Sequence, residues 1–242
     1  MNPLRRSRHL ARPLKNLALL LSPMLLLVFV GCLTMVLAET ESAPDPQAHW
    51  DNLFRQLPYR EVQASKSFPA YCAERLLDEG RLEPGAKVLM LAMGDGRNAV
   101  YFAQQGFEVT GLDISSVAIE KAVRAAAEEG VEIHTIRADL FESDFGSEHW
   151  DLVTNIQFNP AIKVIDRIKR AVRPGGFLLV EGYGSDLEGS GPPEWSRYRP
   201  NQLLDELPGW RILEYQDGVF PNFWAGDKRV PVVRVLARKP DR

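Results

Sequence analysis

The chain reads as an α/β protein with a Rossmann-like, mostly parallel sheet, and three observations predict it. Short apolar runs alternate with helical periods through most of its length. A glycine turn, Gly94-Asp95-Gly96, joins one such run to a helix, and an aspartate, Asp113, closes the next run. Strands that alternate with helices pair in parallel, with helices covering both faces of the sheet.

The elements follow in order. Phe68 to Leu82 has helical apolar spacing that stops near Gly80, and Pro84-Gly85 turns the chain into a strand at Lys87 to Ala92. Asn98 to Gln105 reads as a helix and, after the stop Gly106, Glu108 to Leu112 as the second strand, completing a βαβ unit. The series continues with a helix at Val117 to Glu129, strands at Glu132 to Arg137 and Trp150 to Asn155, a helix at Ala161 to Val172 and a strand at Phe177 to Glu181. The last third changes character. A short helix near Asn201 to Glu206 precedes two strands, Trp210 to Tyr215 and Val230 to Arg238, which read as a terminal antiparallel hairpin.

With 242 residues, 45% apolar and 25% charged, the chain has material for one sizeable core. Its formal net charge is -3, but residues 1–38 carry five bases (Arg5, Arg6, Arg8, Arg12 and Lys15) and no acid, so the remainder stands at -8. A domain this acidic is a poor partner for nucleic acid. Cys32 lies in the apolar N-terminal stretch, which leaves Cys72 alone in the domain, with neither a disulfide nor a cysteine metal site to join.

Asn16 to Ala38 is almost uninterrupted Leu, Val, Met and Ala, 23 residues behind a basic cluster and ahead of Glu39, Glu41 and Asp45. That pattern predicts a hydrophobic helix acting as a signal anchor with its N-terminus in the cytoplasm. A cleaved signal ending at Val36-Leu37-Ala38, or a lipoprotein at Cys32, are the variants, and a start at Met35 would leave a cytoplasmic enzyme. The expected organisation is therefore a membrane segment at 1–38, a linker at 39–48 and the domain at 49–242.

Backbone N–H groups at the start of the helix after Gly94-Asp95-Gly96 can face a polar ligand, and a glycine lets that ligand approach. Asp113 follows Gly94 by 19 residues, the distance at which a dinucleotide fold places the acid that holds a ribose. The loop alone does not separate NAD from S-adenosylmethionine. Asp113 is thus either a ribose acceptor or a plain helix cap. Asp139, after the third strand, is either an adenine contact or a turn aspartate. His134 reads as a strand residue, and Trp50 either as a lid or as a core seal.

The succession Gly94-Asp95-Gly96-Arg97-Asn98-Ala99, Val109 to Ser115, Ala138-Asp139-Leu140, Trp150 to Val153 and Arg173 to Phe177 resembles the class I methyltransferases. Within them, His49-Trp50-Asp51, Glu181-Gly182-Tyr183 and Gly191-Pro192-Pro193 are similar to the tellurite-resistance and thiopurine methyltransferase-like branch. The resemblance implies a seven-stranded sheet with an antiparallel last strand and S-adenosylmethionine as cofactor. It further implies cofactor contacts from Ala92, Gly94, Gly96, Asn98, Asp113, Ile114, Asp139, Leu140 and Asn155. Asn155 and Gln157 become the substrate-side candidates. The expected partner is a small-molecule methyl acceptor, a thiol, selenium or tellurium species suiting a site with no evident base.

Two residues depart from that pattern. Met90 stands where many members carry an acid, and methionine cannot supply a carboxylate's hydrogen bonds. Ala92 stands at the first loop glycine, which is tolerable only if its backbone keeps a negative φ. A non-catalytic binding module and an NAD-dependent oxidoreductase are the competing readings.

Overall fold

A computed structural model describes residues 45–57, 67–189, 192–222 and 228–242. The hydrophobic segment and the linker up to residue 44 lie outside the described residues. Among the described residues, no helix is long and apolar enough to cross a membrane.

The domain begins with helix α1 (Pro46–Gln56), inside the stretch read as linker, because Asp45 accepts the Gln47 N–H and Pro46 occupies the first turn. Ser67 caps α2 (Phe68–Asp78) in the same way, with Pro69 next to it. Then come β1 (Lys87–Leu91), α3 (Arg97–Gln104), β2 (Glu108–Asp113), α4 (Ser116–Glu128), β3 (His134–Arg137) and β4 (Trp150–Ile156). After these follow α5 (Ile165–Ala171), β5 (Val172–Tyr183), α6 (Gln202–Asp205), β6 (Arg211–Asn222) and β7 (Lys228–Arg238).

The seven strands stand in the order β3-β2-β1-β4-β5-β7-β6. β1 to β5 are parallel, and β7 enters antiparallel between β5 and β6. The terminal hairpin thus forms as expected, with both strands longer than their apolar periods indicate. β6 closes the edge and carries Pro221, a residue an edge strand accommodates.

Alternation along the central strands builds two cores. Val88, Met90, Leu152, Phe177, Leu179 and Leu236 face α2 and α3, whereas Leu89, Leu91, Val153, Leu178, Val180 and Val235 face α5 and α6. Both faces being apolar is why these strands read as unbroken hydrophobic runs.

Two boundaries differ from the sequence reading. The helix placed at Ala161 to Val172 is a 3-10 stretch over Asn159–Val164 followed by a short α5, because Asn159 is held to the end of β5: its Nδ2 donates to Tyr183 O at 2.8 Å and its Oδ1 accepts the Tyr183 N–H at 3.1 Å. The Arg173 to Gly176 turn is absorbed as a bulge in β5, whose pairing with β4 jumps between Trp150↔Val172 and Leu152↔Phe177.

Helices α3 and α4 approach closely over Gly96, which caps α3 with φ +81°; a Cβ there would lie 2.4 Å from Ala122 Cβ and 2.8 Å from its Cα. Gly96→Ala is therefore expected to lower unfolding free energy by about 2–4 kcal/mol. Urea denaturation checks this, and an unchanged midpoint would refute the packing role.

Candidate cofactor site

Chain order reverses between β1 and β4: β2 and β3 are laid down on one side of β1, β4 and β5 on the other. The crevice beyond the strand ends at such a switch is where open α/β sheets hold ligands. Here it is a cavity of about 440 Å³, lined from below by Met90, Leu112, Thr154 and Ile156 and roofed by Pro46, Trp50, Leu53 and Phe54 of α1.

Asp113 organises the near wall. Its Oδ2 accepts the Gly94 N–H and its Oδ1 the Ser115 N–H, both at 2.8 Å, so one buried carboxylate fastens the β1 loop to the start of α4. Burial raises its pKa above the ordinary value, against the pull of those amides. The helix cap itself is Ser115, whose Oγ accepts the Ala118 N–H. Asp139 sits in a turn, its Oδ1 accepting the Phe141 N–H at 2.8 Å, and the residue also lines the cavity.

Of the residues expected at the cofactor, Ala92, Gly94, Asn98, Asp113, Ile114, Asp139 and Leu140 line this cavity. Gly96 does not, and serves the helix contact instead. The Gly94 turn likewise answers to packing, because a Cβ there would lie 3.2 Å from the Phe54 ring. Asn155 is a correction. It is buried outside the lining and donates its Nδ2 to Phe158 O at 3.1 Å, because strand alternation turns Thr154 and Ile156 toward the cavity and Asn155 away.

Gln157 does line the cavity and departs from regular geometry, with φ +62°. Two bonds to β5 hold it: its N–H donates to Glu181 O at 2.7 Å and its Nε2 to Glu181 Oε1 at 2.8 Å. Glu181 is buried and paired through Oε2 with Arg234 at 2.7 Å; burial raises its pKa against the attraction of Arg234 and Gln157. Tyr183 also lines the cavity and donates to Asn222 Oδ1 at 3.2 Å. Burial, helped by the Glu181 charge, pushes its phenol up to about 12, so it stays protonated at neutral pH. Tyr198 is buried behind the site, Trp195 is exposed against the Lys163 ammonium, and His134 is exposed on β3.

Sequence reasoning missed how α1 is fastened. Asp51 is buried inside α1, where its Oδ1 accepts Ser115 Oγ at 2.6 Å and the Val117 N–H at 3.2 Å, binding α1 to the start of α4. Lys121 of α4 donates its Nζ to Phe54 O and to Leu57 O, gripping the other end of α1. Trp50 then lies over the cavity, its ring 6.3 Å from Phe54 and 6.0 Å from Phe158, so it both covers the crevice and packs against its aromatic wall. The sequence cue was one acid beside Trp50 in an amphipathic period. Also missed was a buried, bidentate ion pair in the cavity wall, Arg97 Nε and Nη2 on Asp95 Oδ1 and Oδ2 at 2.9 and 2.7 Å.

The condition on Ala92 is not met: its φ is +49°. Ala92→Gly is expected to raise stability by about 0.5–1 kcal/mol, the left-handed strain relieved exceeding the added freedom of the unfolded chain. A higher urea midpoint at unchanged slope is the readout.

The Ser115 hydrogen bond, foremost, holds the Asp51 carboxyl below its usual pKa. A depressed carboxyl stabilises fully above its unfolded value, about 4, and the contribution disappears as pH falls through the lower folded value. Asp51→Asn should cost about 1 kcal/mol at pH 7, a gap in thermal stability that narrows below about pH 4. A gap independent of pH would contradict the role of the charge.

Residues 88–176 match a family model described as a methyltransferase domain. An uncharacterised methyltransferase of Synechocystis is 35% identical over 112 residues, covering 43% of this chain and 51% of its own length. The probable S-adenosyl-L-methionine-dependent methyltransferase TehB of Haemophilus influenzae is 23% identical over 150 residues, 60% of this chain and 52% of that protein. The chain spans about half the length of these curated relatives. The crystal structure of TehB superimposes with TM-score 0.56 at 22% identity, covering 69% of this chain and 62% of the other. A structure described for conversion of a disulfide bond into a thioacetal group during echinomycin biosynthesis gives TM-score 0.60 at 20% identity, covering 81% and 94%. The cofactor to which these similarities point is S-adenosylmethionine. The described domain has the class I methyltransferase fold and resembles the TehB branch of the S-adenosylmethionine-dependent methyltransferases.

Proposed function

We propose that the chain is an S-adenosylmethionine-dependent methyltransferase acting on a small-molecule acceptor. The observation that carries this is the charge of the switch-point cavity. Among the described lining residues, three carboxylates, Asp95, Asp113 and Asp139, stand against a single cation, Arg97. Such a wall favours a ligand bearing positive charge and opposes the pyrophosphate of a dinucleotide. The Gly94 N–H is also already donated to Asp113, which removes one amide a pyrophosphate needs. Both points weigh against the NAD-dependent reading.

Bound there, S-adenosylmethionine supplies an electrophilic methyl for in-line displacement. The protein's contribution is alignment and exclusion of water. Asp113 has lone pairs beyond its two amide contacts with which to accept ribose hydroxyls. Ile114 and Leu140 give the adenine apolar walls next to Asp139, and Trp50 and Phe54 cover the crevice. Gln157 and Tyr183 form the acceptor side. The described lining contains no histidine, lysine or cysteine, and Tyr183 is held as a neutral phenol. That suits an acceptor nucleophilic without a strong base, such as a thiol or a selenium or tellurium species.

Titration of S-adenosylmethionine into the full chain, followed by calorimetry, is expected to show saturable binding that weakens at least about tenfold in Asp113→Ala. Equal affinity in the variant would sink the ribose assignment. A second reading, a cofactor-binding module without turnover, draws on Met90 and the strained Ala92. Release of S-adenosylhomocysteine in the presence of a thiol acceptor decides between the two.

A further inference from the structure

We infer that Glu181 and Arg234 are positioning residues for the methyl acceptor, orienting the Gln157 amide so that the site takes an uncharged nucleophile that still carries a hydrogen. The inference rests on the reading above and deepens it by naming the state in which the acceptor is bound.

Neither member of the pair lines the cavity. Glu181, near the end of β5, and Arg234, on β7, meet at 2.7 Å with side chains 9% and 10% exposed. Arg234 is fixed in turn by the Phe68 and Phe220 rings, centred 5.2 and 4.4 Å from its guanidinium carbon, and by Gln216 Oε1 at 3.3 Å. Elements α2, β5, β6 and β7 thus converge on one cation. An ion pair so enclosed is weak evidence of a stabilising device, since apolar residues of similar volume often serve as well.

What the pair does decide is which way the Gln157 amide faces. Paired with the guanidinium, Glu181 acts as a carboxylate, an acceptor only, so the amide must turn its nitrogen inward; Nε2 donates to Glu181 Oε1 at 2.8 Å. The backbone is committed as well, its N–H donating to Glu181 O at 2.7 Å with φ +62°.

The consequence falls on the cavity. With the nitrogen spent, Gln157 Oε1 is the atom left over, buried and without a partner among the described residues. Tyr183, which also lines the cavity, donates its hydroxyl proton to Asn222 Oδ1 and keeps only lone pairs. Thr154 has a hydroxyl that can turn to either role. Otherwise the polar side chains lining the cavity at the ends of β4 and β5 offer oxygen lone pairs and no hydrogen. A thiolate gains nothing from them, whereas an S–H or N–H group supplies the hydrogen that the fold leaves wanting.

The test uses the full chain at neutral pH with two probe thiols of similar size, phenylmethanethiol, which is uncharged there, and 4-nitrobenzenethiol, which is ionised. Release of S-adenosylhomocysteine follows methyl transfer, and calorimetric titration of that same thioether reports folding and cofactor binding. Removing one charge singly would strand the other, so the pair is replaced together, Glu181→Met with Arg234→Met. This variant and Gln157→Leu are each expected to lower kcat/KM for phenylmethanethiol about tenfold, chiefly through KM. The values for 4-nitrobenzenethiol, and the affinity for S-adenosylhomocysteine, should change less than about twofold. Combining all three substitutions should cost no more than Gln157→Leu alone, because the pair acts through that amide. Parallel losses for both thiols, or additive losses in the combined variant, would make the pair structural, and no loss would make it irrelevant; each overturns the inference. So does a chain that binds S-adenosylmethionine yet methylates neither thiol. If the unaltered chain binds neither S-adenosylmethionine nor S-adenosylhomocysteine, the cofactor reading itself falls and the inference with it.

Discussion

One carboxylate fixes the geometry on which the site depends. Asp113 joins the amide that opens the β1 loop to the amide that opens α4, so the turn after one strand and the helix after the next cannot drift apart. Ser115 passes the constraint outward, capping α4 with its Oγ as acceptor and donating the hydroxyl proton to Asp51 of the lid. Loop, helix and lid are thereby positioned through three consecutive contacts. Asp113 sits at low exposure where its charge is costly, and two backbone amides offset that cost.

Much of this architecture is legible in the sequence because it follows from local period. Two-sided burial of β1, β4 and β5 produces continuous apolar runs, and Gly94-Asp95-Gly96 between a run and a helix marks the switch-point loop. Asp113 and Asp139 stand out as acids at strand ends. Asn155 was misread because its neighbours in sequence point the other way, and alternation within a strand end is fixed by register, which composition does not reveal. The lid contacts are illegible for a different reason. Asp51 and Lys121 are 70 residues apart in the chain and become related only when α1 lies on α4.

Of the four non-glycine residues with left-handed backbones among the described residues, two stand at the cavity and two, Glu148 and Asn201, lie outside its lining. Ala92 and Gln157, at the ends of β1 and β4, both hold left-handed backbones without being glycine, and both line the cavity. For Gln157 the conformation is enforced by two bonds to Glu181, itself held by Arg234. For Ala92 the nearest restraint among the described residues is the pairing of the neighbouring Met93 N–H with Leu112 O. Strained backbone persists when its surroundings over-determine it, as they do at ligand sites.

The path from Asp113 through Ser115 to Asp51 has a thermodynamic corollary. The same aspartate lines the cavity and, one hydroxyl away, is joined to the helix that roofs it. Any free energy by which an occupant of the cavity tightens the grip on α1 must return as an equal gain in that occupant's affinity when α1 is docked. An occupant that draws on this hydrogen-bonded junction and the roof fastened to it would each be held more firmly in the presence of the other.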